Sequence, residues 1–312
     1  MIPKVNLIIP LYNESEVFDQ LIRRLVKLMD NTEKSINTIL VDDGSSDDTA
    51  KLIESICLSD SRFIGVILSR NFGHQIALTA GLQHVNAEEA IMVLDGDLQD
   101  PPEILSDFML KLEEGYDVVY AVRTKRKEGL LKRISYKLFY RILNKISYAD
   151  IPLDSGDFCL MSRRVVDYMN SMPEESRFLR GMRHWVGFKQ IGVEYERNER
   201  QSGESKYSLN QLIKLAFNGI FNFSEFPIRI LVKLGLFAMI FSIGYLIYTL
   251  IMRFIFHEVE SGFTALLFVI ILFGGIQLVA IGIIGEYILR IFFQVKSRPL
   301  FVVDKVIQET QS

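Results

Sequence analysis

No Gly-x-Gly-x-x-Gly follows the first apolar run of this chain, and no Gly-x-x-x-x-Gly-Lys occurs anywhere in it. Dinucleotide-binding and P-loop chemistry are therefore excluded, since both need those glycines for the backbone to approach phosphate. Cysteine is scarce: Cys57 and Cys159 stand far apart and are expected as reduced core thiols, not as a disulfide frame. A signal peptide is not expected, because the apolar run Val5–Ile9 is short and Pro10 stops it. Internal repeats and low-complexity segments are also missing. The formal net charge is only −3, but it is unevenly spread. Between Arg123 and Lys145 nine Lys and Arg face a single acid, Glu128.

Long uncharged runs are present. Leu234–Met252 spans 19 residues and Gly262–Gly285 spans 24. At ~1.5 Å per residue each can cross a ~30 Å hydrocarbon core. Neither carries a polar stripe, which argues against a helical hairpin buried in a soluble protein. Arg229 and Lys233 precede the first run, while Arg290, Lys296 and Arg298 follow the second. The link between them holds one basic residue beside Glu258 and Glu260. The positive-inside rule then places both termini in the cytoplasm of a multi-pass plasma-membrane protein. Glu286 and Arg290 fall one helical turn apart and can pair.

The first ~200 residues alternate short β-rich runs with amphipathic helical patterns. Strands are expected near Val5–Ile9, Ile36–Val41, Phe63–Leu68, Ile91–Leu94 and Asp117–Val122, with later ones near Asp157–Met161 and Lys189–Arg197. Helices fit Glu16–Met29, Asp47–Ser59, Gln75–Val85 and Glu103–Glu114. The alternation implies an α/β fold with an open, mostly parallel sheet, whose ligands sit at the carboxyl ends of the strands. Two further stretches suit a membrane surface. One is Leu130–Tyr148, with Leu131, Ile134, Leu138, Ile142 and Ile146 on one face inside a basic rim; the other is the apolar stripe from Leu209 to Phe221. The basic segment is thus read as lipid-facing, and no nucleic-acid partner is expected.

The most informative stretch is Ile91-Met-Val-Leu-Asp95-Gly96-Asp97, followed by Gln99, Asp100 and Pro101-Pro102. Two carboxylates one residue apart at a strand end repel each other and need a positive partner. A divalent cation carrying a diphosphate suits them, because hard oxygen ligands favour Mg²⁺ or Mn²⁺. Other strand ends carry polar clusters too: Pro10 to Glu14, Asp42 to Asp47, and Ser69 to Gly73. Asp47 reads as the N-cap of the helix after it. His74 reads as a helix-start residue, and Trp185 as core or acceptor-site packing.

In this order and spacing, Ile-Pro10-x-Tyr12-Asn-Glu14, Val-Asp42-Asp43-Gly44-Ser45-x-Asp47, Arg70-Asn71-Phe-Gly73 and Leu-Asp95-x-Asp97-Leu-Gln99-Asp-Pro-Pro resemble a GT-A family 2 glycosyltransferase. More narrowly, the chain resembles the polyisoprenyl-phosphate glycosyltransferases, a group holding dolichol-phosphate mannosyltransferases and bactoprenol glucosyltransferases. Gly285-Glu286-Tyr287, Arg290-Ile291, Lys296 and Arg298-Pro299 are similar to the second branch.

The resemblance implies a Rossmann-like GT-A domain over residues 1–203, interfacial helices over 204–228, and a two-span membrane part with a cytoplasmic tail over 229–312. It implies that Pro10, Tyr12, Glu14 and Asp42 line a uridine pocket, joined by Asp43, Gly44, Ser45 and Asn71. Asp95, Asp97 and Gln99 would hold the metal against the diphosphate. Arg200 and Lys206, in Arg-x-x-Gly-x-Ser-Lys-Tyr, would close over the nucleotide. Arg123 and Arg133 would grip the acceptor phosphate, and Asp157 matches the acidic residue usually drawn as catalytic base. That last role is chemically unneeded: a phosphate monoester with a second pKa near ~6 is largely ionised already. Asp157 is instead expected to orient the acceptor or to stabilise positive charge at the anomeric carbon.

The expected activity is inverting transfer of a hexosyl unit, glucose by branch, from a UDP-sugar to polyprenyl phosphate. A processive polysaccharide synthase shares the carboxylates but needs a Gln-x-x-Arg-Trp segment, and the sole Trp here follows His184. A non-catalytic scaffold that kept a nucleotide-sugar pocket is the third reading. Gly274-Gly275 and Gly282 would allow close helix packing in a homo-oligomer.

Overall fold

A computed structural model describes residues 4–123, 155–196, 226–255 and 262–308. The chain divides into two compact units, Met1–Asn218 with Arg298–Ser312, and Gly219–Ser297. The basic segment 124–154 and the stripe from Leu209 to Phe221 lie outside the described residues.

The first unit is built on strands β1 (Val5–Leu11), β2 (Ile36–Asp42), β3 (Phe63–Leu68), β4 (Ala90–Val93), β5 (Val118–Arg123), β6 (Ser155–Ser162), β7 (Gln190–Tyr195) and β8 (Val303–Ile307). Their order across the sheet is β7-β5-β6-β4-β1-β2-β3-β8. β1 pairs in parallel with β2 and β4, β2 with β3, and β5 with β7. β1, of sequence VNLIIPL, is buried along its whole length. A continuous apolar run is what a parallel strand covered on both faces requires.

Helices α1 (Ser15–Asp30), α2 (Thr49–Ser59), α3 (His74–Gln83) and α4 (Leu105–Glu113) follow the first four strands. α1 buries Val17, Phe18, Leu21, Leu25 and Met29, the spacing of one helical face. α3 lies very close to the sheet. A Cβ built on Gly81 would sit 2.4 Å from Ile8 Cγ2, so only glycine lets this helix seat on β1. Two short helices were absent from the sequence reading, α5 (Arg163–Ser171) and α6 (Leu179–Trp185). Buried Arg177 ties them together, donating from Nη1 to the carbonyls of Met169 at 3.2 Å and Met172 at 3.0 Å at the end of α5, with Met182 Sδ of α6 at 3.7 Å.

Three readings change here. Asp47 does not cap α2; Asp48 occupies that position. The Asp47 carboxylate accepts the N–H of Thr49 at 3.0 Å and that of Ser15 at 3.1 Å, so it joins the starts of α2 and α1. Trp185 is not core: it is the last residue of α6 and 66% exposed, whereas Leu179, Gly181, Met182 and Arg183 of that helix are buried. Residues 303–307, grouped by sequence with the membrane part, form β8 antiparallel to β3 in the first unit. Ile307 enters the core, and Lys305 pairs with Glu54 of α2. Cys57 and Cys159 are free and buried as expected, with burial pushing the Cys57 thiol up to about 12.

Asp47 supports a stability prediction. Its partial burial would raise its pKa, yet hydrogen bonds from Thr49 and Ser15 hold it at about 2. A carboxyl lowered on folding contributes stability above its unfolded pKa of ~4, and that contribution fades as pH falls towards ~2. After discounting for solvent screening, Asp47→Ala should cost about 1–2 kcal/mol at neutral pH. The loss should shrink between pH ~4 and ~2, as thermal melting at stepped pH would reveal.

The second unit holds α7 (Phe226–Phe254) and α8 (Phe263–Lys296). Two helical stretches, Phe226–Phe254 and Val269–Lys296, are long and apolar enough to cross a membrane, and their apolar windows are 0% buried by protein. A core hairpin of a soluble protein would be covered. Arg290 pairs with Glu286 at 2.9 Å, one turn away.

Candidate active site

Parallel pairing brings the carboxyl ends of β1, β2, β3 and β4 to one edge of the sheet. Side chains then stitch the loops beyond them. Asn13 adopts a left-handed φ of 53°, which asparagine tolerates better than most residues. Its N–H donates to Ser45 Oγ at 2.9 Å, and its Oδ1 accepts the Ser46 N–H at 2.8 Å. Glu14 N–H donates to Thr49 Oγ1 at 3.0 Å. Pro10 is buried at the end of β1, while Tyr12 is exposed beyond it. Asp42 is 1% exposed and accepts the Ser45 N–H at 3.2 Å. Burial pushes its carboxyl up, and hydrogen bonds from Ser45 and Gly44 offset part of that.

Asp43 performs a different task. Its two oxygens accept the N–H groups of Phe72 at 2.7 Å and Gly73 at 3.0 Å, clamping the loop after β3 against the turn after β2. Gly44 stands at the contact with φ +67°, and a Cβ there would lie 2.3 Å from the Arg70 carbonyl carbon. That neighbour is backbone and cannot swing aside. Gly44→Ala is expected to destabilise the protein by roughly 2–4 kcal/mol, from left-handed strain plus overpacking. Chemical denaturation, followed with and without nucleotide, should show the lower midpoint in both series. Asn71 is exposed on the same loop.

At the end of β4 the chain turns through Asp95-Gly96-Asp97. A Cβ on Gly96 would lie 2.4 Å from Leu11 Cδ2, so the turn packs directly on β1. Asp97 Oδ1 accepts the Gln99 N–H at 3.1 Å, and Leu98 between them is held at φ 61°. A leucine in that region is strained by about 1–2 kcal/mol. Arg24 braces it, donating to the Leu98 carbonyl at 3.3 Å while paired with Glu103 at 2.7 Å. Asp100 belongs to the scaffold: it is buried and accepts the Tyr195 hydroxyl at 2.6 Å, anchoring β7 beneath the turn.

β6 runs antiparallel to β4 with Val93 opposite Cys159, so Asp157 is carried past the end of β4 towards Asp95. His74, first residue of α3, lies between the two. Its Nε2 is 3.7 Å from Asp95 Oδ1 and 3.5 Å from Asp157 Oδ2. Burial would lower the His74 pKa, but the Asp157 and Asp95 carboxylates outweigh it and raise it to about 9. Burial and the neighbouring Asp100, Asp97 and Asp157, against His74, push Asp95 up to about 6. Burial would raise Asp157 as well, yet Arg180 and His74 hold it well below the usual carboxylate range. His74 thus brings positive charge beside both Asp95 and Asp157, and Arg180 brings it to Asp157.

Sequence reading assigned His74 no role beyond starting a helix, and it missed Gln75 and Arg180. A polar pair opening an otherwise apolar helix was the one available signal. Arg180 had none, since its helix was not expected. Arg133, Arg200 and Lys206 lie outside the described residues, as does the side chain of Arg123, whose backbone pairs with Tyr195 in the sheet.

Among the described residues, no three His, Cys, Asp or Glu side chains converge to hold an ion by themselves. Asp95 and Asp97 nevertheless fit one. A hard divalent ion shared with a diphosphate needs only one or two carboxylates, its remaining ligands being phosphate oxygens and water. Asp95, raised by burial and then by its like-charged neighbours, is a carboxyl that a cation would relieve.

Residues 6–169 match the model of glycosyl transferase family 2. The chain is 42% identical over 301 residues to an uncharacterized glycosyltransferase, YkcC, of Bacillus subtilis (strain 168), covering 96% of this chain and 93% of that one. It is 37% identical over 303 residues to a bactoprenol glucosyl transferase of Shigella phage SfII, covering 97% and 98%. Among solved structures, mannosyl-3-phosphoglycerate synthase from Rubrobacter xylanophilus aligns with a TM-score of 0.47 at 14% identity, over 69% of this chain and 71% of that one.

Proposed function

The chain belongs to glycosyl transferase family 2, and from that premise we propose that it transfers one hexosyl unit from a UDP-sugar to polyprenyl phosphate, inverting the anomeric centre. That it is a glycosyltransferase with a GT-A fold follows from the family. Glucose and the polyprenyl acceptor rest on relatives named bactoprenol glucosyl transferase, similar over nearly the whole length. The observation that carries the reading is a carboxylate cluster at the strand ends in a chain that also holds two uncovered helices of membrane-spanning length.

In this reading, Pro10, Tyr12, Glu14, Asp42, Asp43, Gly44, Ser45 and Asn71 surround the nucleoside. Asp95 and Asp97, with Gln99, would hold Mg²⁺ or Mn²⁺. Such an ion supplies positive charge to the diphosphate as it leaves. Arg200 and Lys206 would close over that diphosphate, and Arg123 and Arg133 would fix the acceptor phosphate through bidentate hydrogen bonds. A phosphate oxygen of the acceptor forms the new bond to C1 on the face opposite UDP. The old C1–O bond breaks, and its electron pair departs with UDP. The basic residues flanking the apolar helices favour a cytoplasmic site for the reaction.

Purified full-length protein, labelled UDP-sugars and GDP-sugars, a divalent ion and polyprenyl phosphate would test this. A single labelled sugar in the lipid extract, released as the β-linked product from an α-linked donor, is the expected outcome. A labelled polymer would point to a synthase. No labelled lipid with any donor would sink the reading.

A further inference from the structure

Both oxygens of the Asp157 carboxylate are held by donors. Its side chain is 10% exposed. Oδ1 accepts Arg180 Nε–H at 2.8 Å, and Oδ2 accepts Arg180 Nη2–H at 3.0 Å, the parallel arrangement of a bidentate pair. Oδ2 also accepts from Gln75 Nε2 at 3.1 Å. The other end of the Gln75 amide accepts the backbone N–H of Leu179 at 3.0 Å. This fixes the orientation of the amide, because a carboxylate needs a donor and an N–H needs an acceptor. One glutamine therefore joins the first turn of α3, the start of β6 and the first residue of α6. Arg180 is the next residue of α6. The helix that carries it is anchored in turn by buried Arg183, which donates to the Gly156 carbonyl at 3.4 Å.

We propose that Gln75 and Arg180 are positioning residues for sugar transfer, holding Asp157 as a fixed negative charge beside Asp95 and not as a base. The idea rests on the transferase reading above and adds residues to it. Arg180 offsets a carboxylate that would otherwise repel the diphosphate and the acceptor phosphate. Gln75 ties that carboxylate to two helices, so its position does not depend on a rotamer in solvent. Charge builds on the reacting sugar only in the transition state, so misplacing a fixed charge should show in turnover more than in donor binding.

The experiment is a mutant cycle in full-length protein with Asp157→Asn, Arg180→Gln and the pair, read by kcat, UDP affinity and thermal midpoint. Arg180→Gln should lower kcat at least ~10-fold while UDP affinity changes by less than ~3-fold. Since Arg180 acts through Asp157, the double variant should turn over within ~2-fold of Asp157→Asn alone, and the midpoint shifts should be similarly non-additive. Arg180→Lys, which keeps charge but loses the fork, should fall between wild type and Arg180→Gln and covers the case in which the latter fails to fold. Gln75→Glu keeps the acceptor for Leu179 but sets a carboxylate against Asp157, and should lower kcat ~5-fold or more. Normal kcat in folded Arg180→Gln, or additive losses in the double variant, would overturn the proposal. Wild-type protein inactive with every donor would overturn the transferase reading instead. The midpoints would still decide the pairing, because additive shifts would refute it.

Discussion

Asp95→Asn is expected to lower sugar transfer by about 10²–10³-fold. The carboxyl stands at the end of β4 among Asp97, Asp100 and Asp157, and burial with those neighbours sets it at about 6. At neutral pH it is largely ionised, close to His74 and available to a divalent ion. Asparagine keeps the shape but removes the charge that would fix an ion on the diphosphate. A chelator should reduce wild-type activity to nearly the variant's level, and Mn²⁺ or Mg²⁺ should restore the wild type only. Chelator-insensitive wild-type enzyme, or near-normal Asp95→Asn, would remove the carboxylate from the chemistry.

The same pair has a pH signature in ion-free protein. Asp95 is raised on folding, so its contribution favours the folded state at low pH and is lost as pH rises through about 6. His74 is raised too, so its contribution is full below ~6.5 and is lost as pH rises through about 9. Melting temperature should therefore fall from pH ~4 to ~6 through Asp95 and from ~6.5 to ~9 through His74, less steeply in Asp95→Asn. A flat profile would contradict the shared His74 contact.

Ending the chain at Ser297 should cost the first unit about 3–5 kcal/mol. The deletion removes β8 and bares the N–H and C=O groups along β3, an edge open to pairing with other chains. It also withdraws the buried Ile307 side chain, worth about 1.5–3 kcal/mol. The Val302 carbonyl that accepts the Ser69 N–H at 3.0 Å is lost with it, beside the loop that carries Asn71. The partly exposed Lys305–Glu54 pair adds little. A melting point lower by about 10 °C and a growing aggregate peak in size exclusion are the expected results. Ile307→Asp tests the same contact without shortening the chain. A truncated protein melting within ~2 °C of the full chain would mean that β8 is incidental.

Much of the first unit was legible because its signals are local. The run VNLIIPL is short, rich in β-branched residues and followed by turn residues, the marks of a strand covered on both faces, and α1 shows one apolar stripe. Boundaries drifted where turn chemistry intervened. The expected helix from Glu103 begins as a 3₁₀ turn at Pro102–Ile104 and becomes α4 at Leu105, because the preceding prolines start a tight turn. Asp47 was misassigned by one residue, since its carboxylate serves two helix starts and sequence shows only the nearer. Asp100 looked like part of an acidic motif, whereas its partner Tyr195 lies 95 residues away.

Residue order alone determined the alternation of strands and helices, the acidic turn after β4 and the two uncharged runs, because hydrophobic period and turn residues act over a few positions. Only tertiary packing decided that β6 runs back along β4, that α6 delivers Arg180 to Asp157, and that β8 closes the edge at β3. Those pairings join residues tens to hundreds of positions apart. Their selection depends on which faces are already buried and which polar groups still need partners, and neither is written in any short window of the chain.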